Sequence, residues 1–246
     1  MWVAGLFYFF FVPDGKRYRP IGWMYAVPLV LFFIAKGRGY YMAPAYPMLL
    51  AAGAVLGGRA VASLAAGWAR LMRGHTCTAL AVGGALAIAV VLPIAPVNSP
   101  WWKVANKVND DFREEIGWPE LVETIAGIRA SLPAEARAHV GILAGNYGEA
   151  GAIDLYGPAH GLPKAISGVN SYWLRGYGDP PPQTLIVAGI SRDFLERNFE
   201  SCVLAGHIAN RYGVQNEETT RHPDLFVCRR LRQPWPVFWK RFQYYR

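Results

Sequence analysis

The chain has 246 residues, 53% of them hydrophobic and only 17% charged, against roughly 25% charged in an ordinary soluble protein. Its net charge is +8, yet Lys and Arg stand at the ends of apolar segments and in the C-terminal tail. The excess therefore reads as orientation charge on a membrane protein, and no nucleic acid is expected as a partner.

Acidic residues divide the chain. Before Pro100 the one carboxylate is Asp14, whereas Asp and Glu are frequent afterwards. Residues 1–98 read as a transmembrane region embedded in the lipid bilayer, and residues 99–246 as a water-soluble domain able to form its own core.

Four apolar segments predict helices at about 1–12, 21–35, 42–62 and 76–97. The first covers roughly 18 Å, short of the ~30 Å hydrocarbon core. It lacks the positive start and small-residue cleavage site of a signal peptide, so it reads as the tail of a longer helix. The third is rich in Ala and Gly, which suits close helix packing in lipid. Lys16, Arg17 and Arg19 in one loop, and Arg70 and Arg73 in the expected loop 67–74, mark the cytoplasmic side. The loop 36–41 and the soluble domain then fall outside, which predicts a multi-pass protein with an extracytoplasmic domain.

Lys36 and Arg38 are basic on the side where the positive-inside rule expects few such residues. Tyr40 and Tyr41 follow them in a Gly-containing loop. An Arg fork, a Lys point charge and Tyr hydroxyls are the donors that hold a lipid phosphate. The same residues also serve as interfacial anchors, and the two readings stand side by side on these residues alone.

In the soluble domain, Pro119–Ser131 has helical spacing of Leu121, Val122, Ile125 and Ile128. Val140–Leu143, Thr184–Ile190, Cys202–Ile208 and Leu225–Arg230 read as strands. Helices are expected at Ala150–Tyr156 and Ser191–Asn198. This alternation predicts a small α/β sandwich. The aromatic, basic tail after Arg229 suits either anionic headgroups or a solvated end. Cys202 and Cys228 are a possible disulfide if the domain meets an oxidising compartment, though spacing does not decide it.

Gly145, Gly148 and Gly151 give GxxGxxG, not the dinucleotide GxGxxG. The five histidines show no metal-binding spacing. No cofactor is identified, and a divalent metal requirement stays open. Asn146, Tyr147, Glu149, Asn170, Tyr172 and Trp173 combine polar groups with aromatics. That is the chemistry of a sugar or acceptor surface, and also of turns and core aromatics. Within this set Asn146, Glu149, Asn170 and Trp173 are the candidate contacts.

The stretch from Lys36 to Pro47 (KGRGYYMAPAYP), leading into an Ala-rich helix, resembles the polyprenyl-phosphate-dependent membrane glycosyltransferases. These include glycosyltransferase family 39, the protein mannosyltransferases and the bacterial aminoarabinose transferases. Phe112–Val122, Gly145–Gly157, Ala165–Gly176 and Tyr212–Glu218 resemble the C-terminal domain of bacterial members. The resemblance implies a GT-C-like membrane α-helical fold, with an extracytoplasmic α/β domain, in the inner membrane. It implies a polyprenyl-phosphate-linked sugar donor, with Lys36, Arg38, Tyr40 and Tyr41 at the lipid phosphate. The family's catalytic acidic loop lies near the N-terminus of the whole enzyme and has no counterpart here. The expectation is a C-terminal portion that holds no catalytic residue and needs N-terminal helices from the same or a neighbouring chain. The competing expectation is a non-catalytic, membrane-anchored module binding a glycan or partner.

Overall fold

The computed structural model describes residues 1–37 and 39–245. The chain divides into two units, Met1–Ile88 and Ala89–Arg246.

The first unit is helical: α1 (Trp2–Phe11), α2 (Arg19–Ile34), α3 (Tyr46–Ala62) and α4 (Ala66–Val91). Prolines stand in the first turns of α2 and α3, where no amide hydrogen is needed and the fixed φ suits a helix. Tyr8, Phe9, Tyr25, Leu49 and Ala52 form its buried centre. On α3, a Cβ at Gly53 would lie 2.2 Å from the Met1 carbonyl oxygen, so the small residue sets how closely α1 and α3 pack. Asp14, in the turn after α1, pairs with Arg59 at 2.9 Å near the end of α3.

Among the described residues, two segments are long and apolar enough to cross a membrane, Tyr40–Ala62 and Ala66–Val91. α1 and α2, with 10 and 16 residues, reach only about 15 and 24 Å. The predicted helix 76–97 is corrected. It starts at Ala66 and ends at Val91, and the expected loop 67–74 is helical. Arg70 and Arg73, expected as loop charges, lie within the helix because Arg is a good helix former, and only the short turn 63–65 separates α3 from α4.

The second unit opens with α5 (Pro100–Val108), α6 (Asp111–Glu114), α7 (Trp118–Ser131) and α8 (Ala134–Ala138). It continues through β1 (Val140–Ala144), α9 (Tyr147–Tyr156), β2 (Ala165–Ile166), β3 (Thr184–Ala188), α10 (Arg192–Asn198) and β4 (Phe199–His207), and ends with α11 (Glu217–Thr220), β5 (Asp224–Leu231) and α12 (Trp235–Arg241). The sheet order is β2-β1-β3-β5-β4. β1 runs parallel to β2 and β3, and β5 is antiparallel to both β3 and β4.

Period-two alternation gives the sheet two apolar faces. Ile142, Ile186 and Val227 meet Leu121, Val122 and Ile125 of α7 and Ile153 of α9. Leu143, Leu185, Val187, Phe226 and Cys228 meet Leu195 of α10 and Phe238 and Trp239 of α12. The result is a small mixed α/β domain in three layers. The tail expected at headgroups or in solvent is instead α12 and an extended end, with Phe238, Trp239 and Phe242 buried in the second core. The apolar payload of three aromatic rings outweighs the basic residues interleaved with them.

Cys202 and Cys228 face one another in the β4–β5 register and form a disulfide. Cys77 is a free, exposed cysteine.

Candidate functional site

β1 connects through α9 to β2 on one side, while β3 lies on its other side. The carboxyl ends of β1 and β3 therefore flank a topological switch point, where open α/β sheets leave a crevice for ligands. A cavity of about 340 Å³ lies there, at the small end of the roughly 300–1,000 Å³ typical of ligand pockets.

One wall is the β1–α9 turn. Asn146 caps α9, its side-chain oxygen accepting from the Glu149 amide at 2.8 Å. The Glu149 carboxylate reaches back to accept from the amides of Gly145 (2.9 Å) and Asn146 (3.2 Å). This reciprocal capping box fixes both side chains, and Glu149 is buried at 1% exposure. The opposing wall comes from the end of β3. Gly189 has φ +66°, and a Cβ there would lie 2.1 Å from Glu149 Oε1, so glycine is required on two separate grounds.

A third wall is α11. Glu218 is 9% exposed, and its Oε1 accepts from Asn146 Nδ2 at 3.4 Å. Its Oε2 has no hydrogen-bond partner among the described residues. Burial raises the Glu218 pKa, and the Glu114 carboxylate adds to the rise. The last wall is the C-terminal segment, where Tyr244 and Gly168 bond through their backbones. The Tyr244 hydroxyl donates to the Gly145 carbonyl. Burial, then Glu149, pushes the Tyr244 pKa up to about 12, so this donor keeps its proton at neutral pH. Arg221, His222 and Arg241 also border the cavity.

The structure brings Asn146 and Glu149 together in this cavity and leaves Asn170 and Trp173 out of its lining. Asn170 has φ +47°, a left-handed conformation that Asn tolerates, and its amide donates to the Tyr244 carbonyl at 2.9 Å. Trp173 and Trp239 exchange indole hydrogen bonds to each other's carbonyls at 2.8 and 3.2 Å, with their rings parallel at 6.4 Å. Trp173 thus anchors α12. Sequence reasoning missed Glu218 and Tyr244. Asn216–Thr219, a second capping box, was the available signal for the first. Tyr244 reaches the site through contacts 99 residues apart, for which no local pattern exists.

In the helical unit, Lys36 is exposed in the turn after α2 with φ +52°. Tyr41 stacks on Phe32 at 5.6 Å, and Tyr40 lies 4.6 Å from Tyr41, ring to ring. Both tyrosines are exposed. Arg38 lies outside the described residues. No three His, Cys, Asp or Glu side chains cluster as metal ligands among the described residues.

Glu218 carries a stability consequence. Its folded pKa lies above the ordinary 4.5, so folding favours the protonated acid. That contribution is complete below the unfolded value and is lost as pH rises through the raised one. Glu218→Gln removes the loss. We expect thermal melts of the two proteins to coincide near pH 4 and to separate by pH 7, the variant being more stable by about 1 kcal/mol. A variant less stable at both pH values would contradict this account.

No protein-family model matches the chain, and no curated protein or solved structure matches it.

Proposed function

We propose that the chain is the C-terminal portion of a membrane glycosyltransferase that uses a polyprenyl-phosphate-linked sugar at the outer face of the inner membrane. The carrying observation is one loop. Lys36 and Arg38 stand directly before the span-length apolar segment Tyr40–Ala62, which Tyr40 and Tyr41 open, and Tyr41 is held by its stack on Phe32. A cation pair with flanking phenols stabilises a departing lipid phosphate.

Three features support the membrane setting. The apolar side chains Leu80, Val82, Leu86, Ile88 and Val91 of α4 are exposed, and such a surface calls for lipid or a partner. At 26 residues α4 is about 39 Å long, so a ~30 Å core leaves its first turns, with Arg70 and Arg73, at the headgroups. The Cys202–Cys228 bond suits an oxidising, extracytoplasmic compartment. On this reading the chain contributes the lipid-phosphate site and an outer domain, and further helices supply the catalytic carboxylates.

The second reading, a membrane-anchored glycan-binding module without catalysis, is favoured by the cavity in the sheet domain. The two readings differ at the loop. Polyprenyl phosphate should bind the full chain in lipid nanodiscs, and Lys36→Ala with Arg38→Ala should weaken that binding roughly tenfold or more. Binding indifferent to both substitutions would remove the glycosyltransferase reading and leave the module.

A further inference from the structure

We infer that the cavity at the carboxyl ends of β1 and β3 is a binding site for a single uncharged sugar residue, anchored by a hydroxyl donated to Glu218 Oε2. The inference deepens the glycan-handling role proposed for the sheet domain, by naming the ligand class and the anchoring residue.

The site is built, not incidental. Glu218 borders the cavity, is nine-tenths buried, and has one carboxylate oxygen bonded to Asn146 and the other without a partner among the described residues. An unpartnered buried acceptor costs stability, and of the two cavities that Glu218 borders, of about 340 and 10 Å³, the larger has room for a ligand that brings the missing donor. Three neighbouring polar groups are already committed. The Glu149 carboxylate accepts two backbone amides, the Tyr244 hydroxyl donates to Gly145, and Arg221 pairs with Glu217 at 3.0 Å. Among the described residues that line the cavity, Glu218 holds the one buried polar side-chain atom left without a partner, and a ligand completes its hydrogen bonding.

Charge narrows the ligand. Glu149 and Glu218 inside disfavour an anion, and Arg221 and Arg241 at the border disfavour a cation. Phe194 and Phe242 give the same cavity apolar ring surface. A hydroxyl-rich body with an apolar C–H face meets both demands, and a cavity of about 340 Å³ is of a size for one sugar ring rather than a chain.

The test uses the full chain in nanodiscs, with the methyl glycosides of glucose, mannose and galactose titrated by saturation-transfer NMR. At least one should bind, and Glu218→Met, which keeps length but removes the acceptor, should weaken it roughly tenfold or more. Thermal melts establish that the variant is folded. If it is not, Glu218→Gln takes its place and should still weaken binding. No bound glycoside, affinity unchanged in the folded variant, or binding of glucosamine or inorganic phosphate in place of the neutral sugars would overturn the inference. The titration does not depend on lipid phosphate. A chain that fails to bind polyprenyl phosphate but binds the sugar through Glu218 retains this inference and loses the glycosyltransferase reading.

Discussion

Replacing Cys202 and Cys228 together by alanine should lower the unfolding temperature of the sheet domain by about 6–12 °C. The two residues are 26 apart in sequence. A cross-link closing a loop of that length removes about 3 kcal/mol of unfolded-chain entropy. Little else compensates at this place. β4 is the edge strand, paired only with β5, and most of its nine residues are exposed. The pairing also shifts register between Leu204 and Gly206. An edge strand with so little burial is held by its ladder and its staple, so loss of the staple should fray β4 before the central strands open. Alanine is preferred to serine because Cys228 is fully buried in an apolar cluster, where a hydroxyl would add a cost of its own. Calorimetry of wild type under oxidising and reducing conditions provides the parallel measurement. Identical transitions in all three cases would mean that the cross-link is not formed.

What the sequence could reveal depended on how local each signal was. Trp118–Ser131 was legible because four apolar residues recur at helical spacing and all four are buried. Thr184–Ala188 was legible as an uninterrupted β-branched and apolar run. The start of α4 is obscured because Arg70 and Arg73 look like punctuation when judged by charge, although nothing in them breaks a helix. The tail was misread for a different reason. Trp235, Phe238, Trp239 and Phe242 have the spacing of an apolar helical face, but the interleaved Lys240 and Arg241 drew attention to a membrane surface. The same rule explains the site. Asn146 and Glu149 lie three apart and declare a capping box, so local pattern finds them. Glu218 and Tyr244 arrive from 72 and 98 residues after Asn146, through the sheet order. Trp173 looked like a sugar platform because stacking on a sugar and stacking on Trp239 need the same side chain.

Gly189→Ala should destabilise the sheet domain by about 3 kcal/mol, lowering its unfolding temperature by roughly 6–12 °C. Two costs combine. At φ +66° an alanine loses about 1–2 kcal/mol of backbone energy relative to glycine. Its methyl would also fall 2.1 Å from Glu149 Oε1 and 2.2 Å from Oε2. That carboxylate has no easy retreat, since it accepts the Gly145 and Asn146 amides and closes the cap of α9. Relieving the clash means opening the capping box, which leaves a buried charge short of donors and moves the wall of the cavity. Gly161→Ala separates the two costs. Gly161 has nearly the same φ, +65°, and no atom within 4 Å of its notional Cβ, so it should lose the backbone term alone, about 1 kcal/mol. Chemical denaturation of both variants gives the difference. Equal losses would show that the Glu149 carboxylate does not stand against Gly189, and the geometry of the cavity derived from that contact would fall with it.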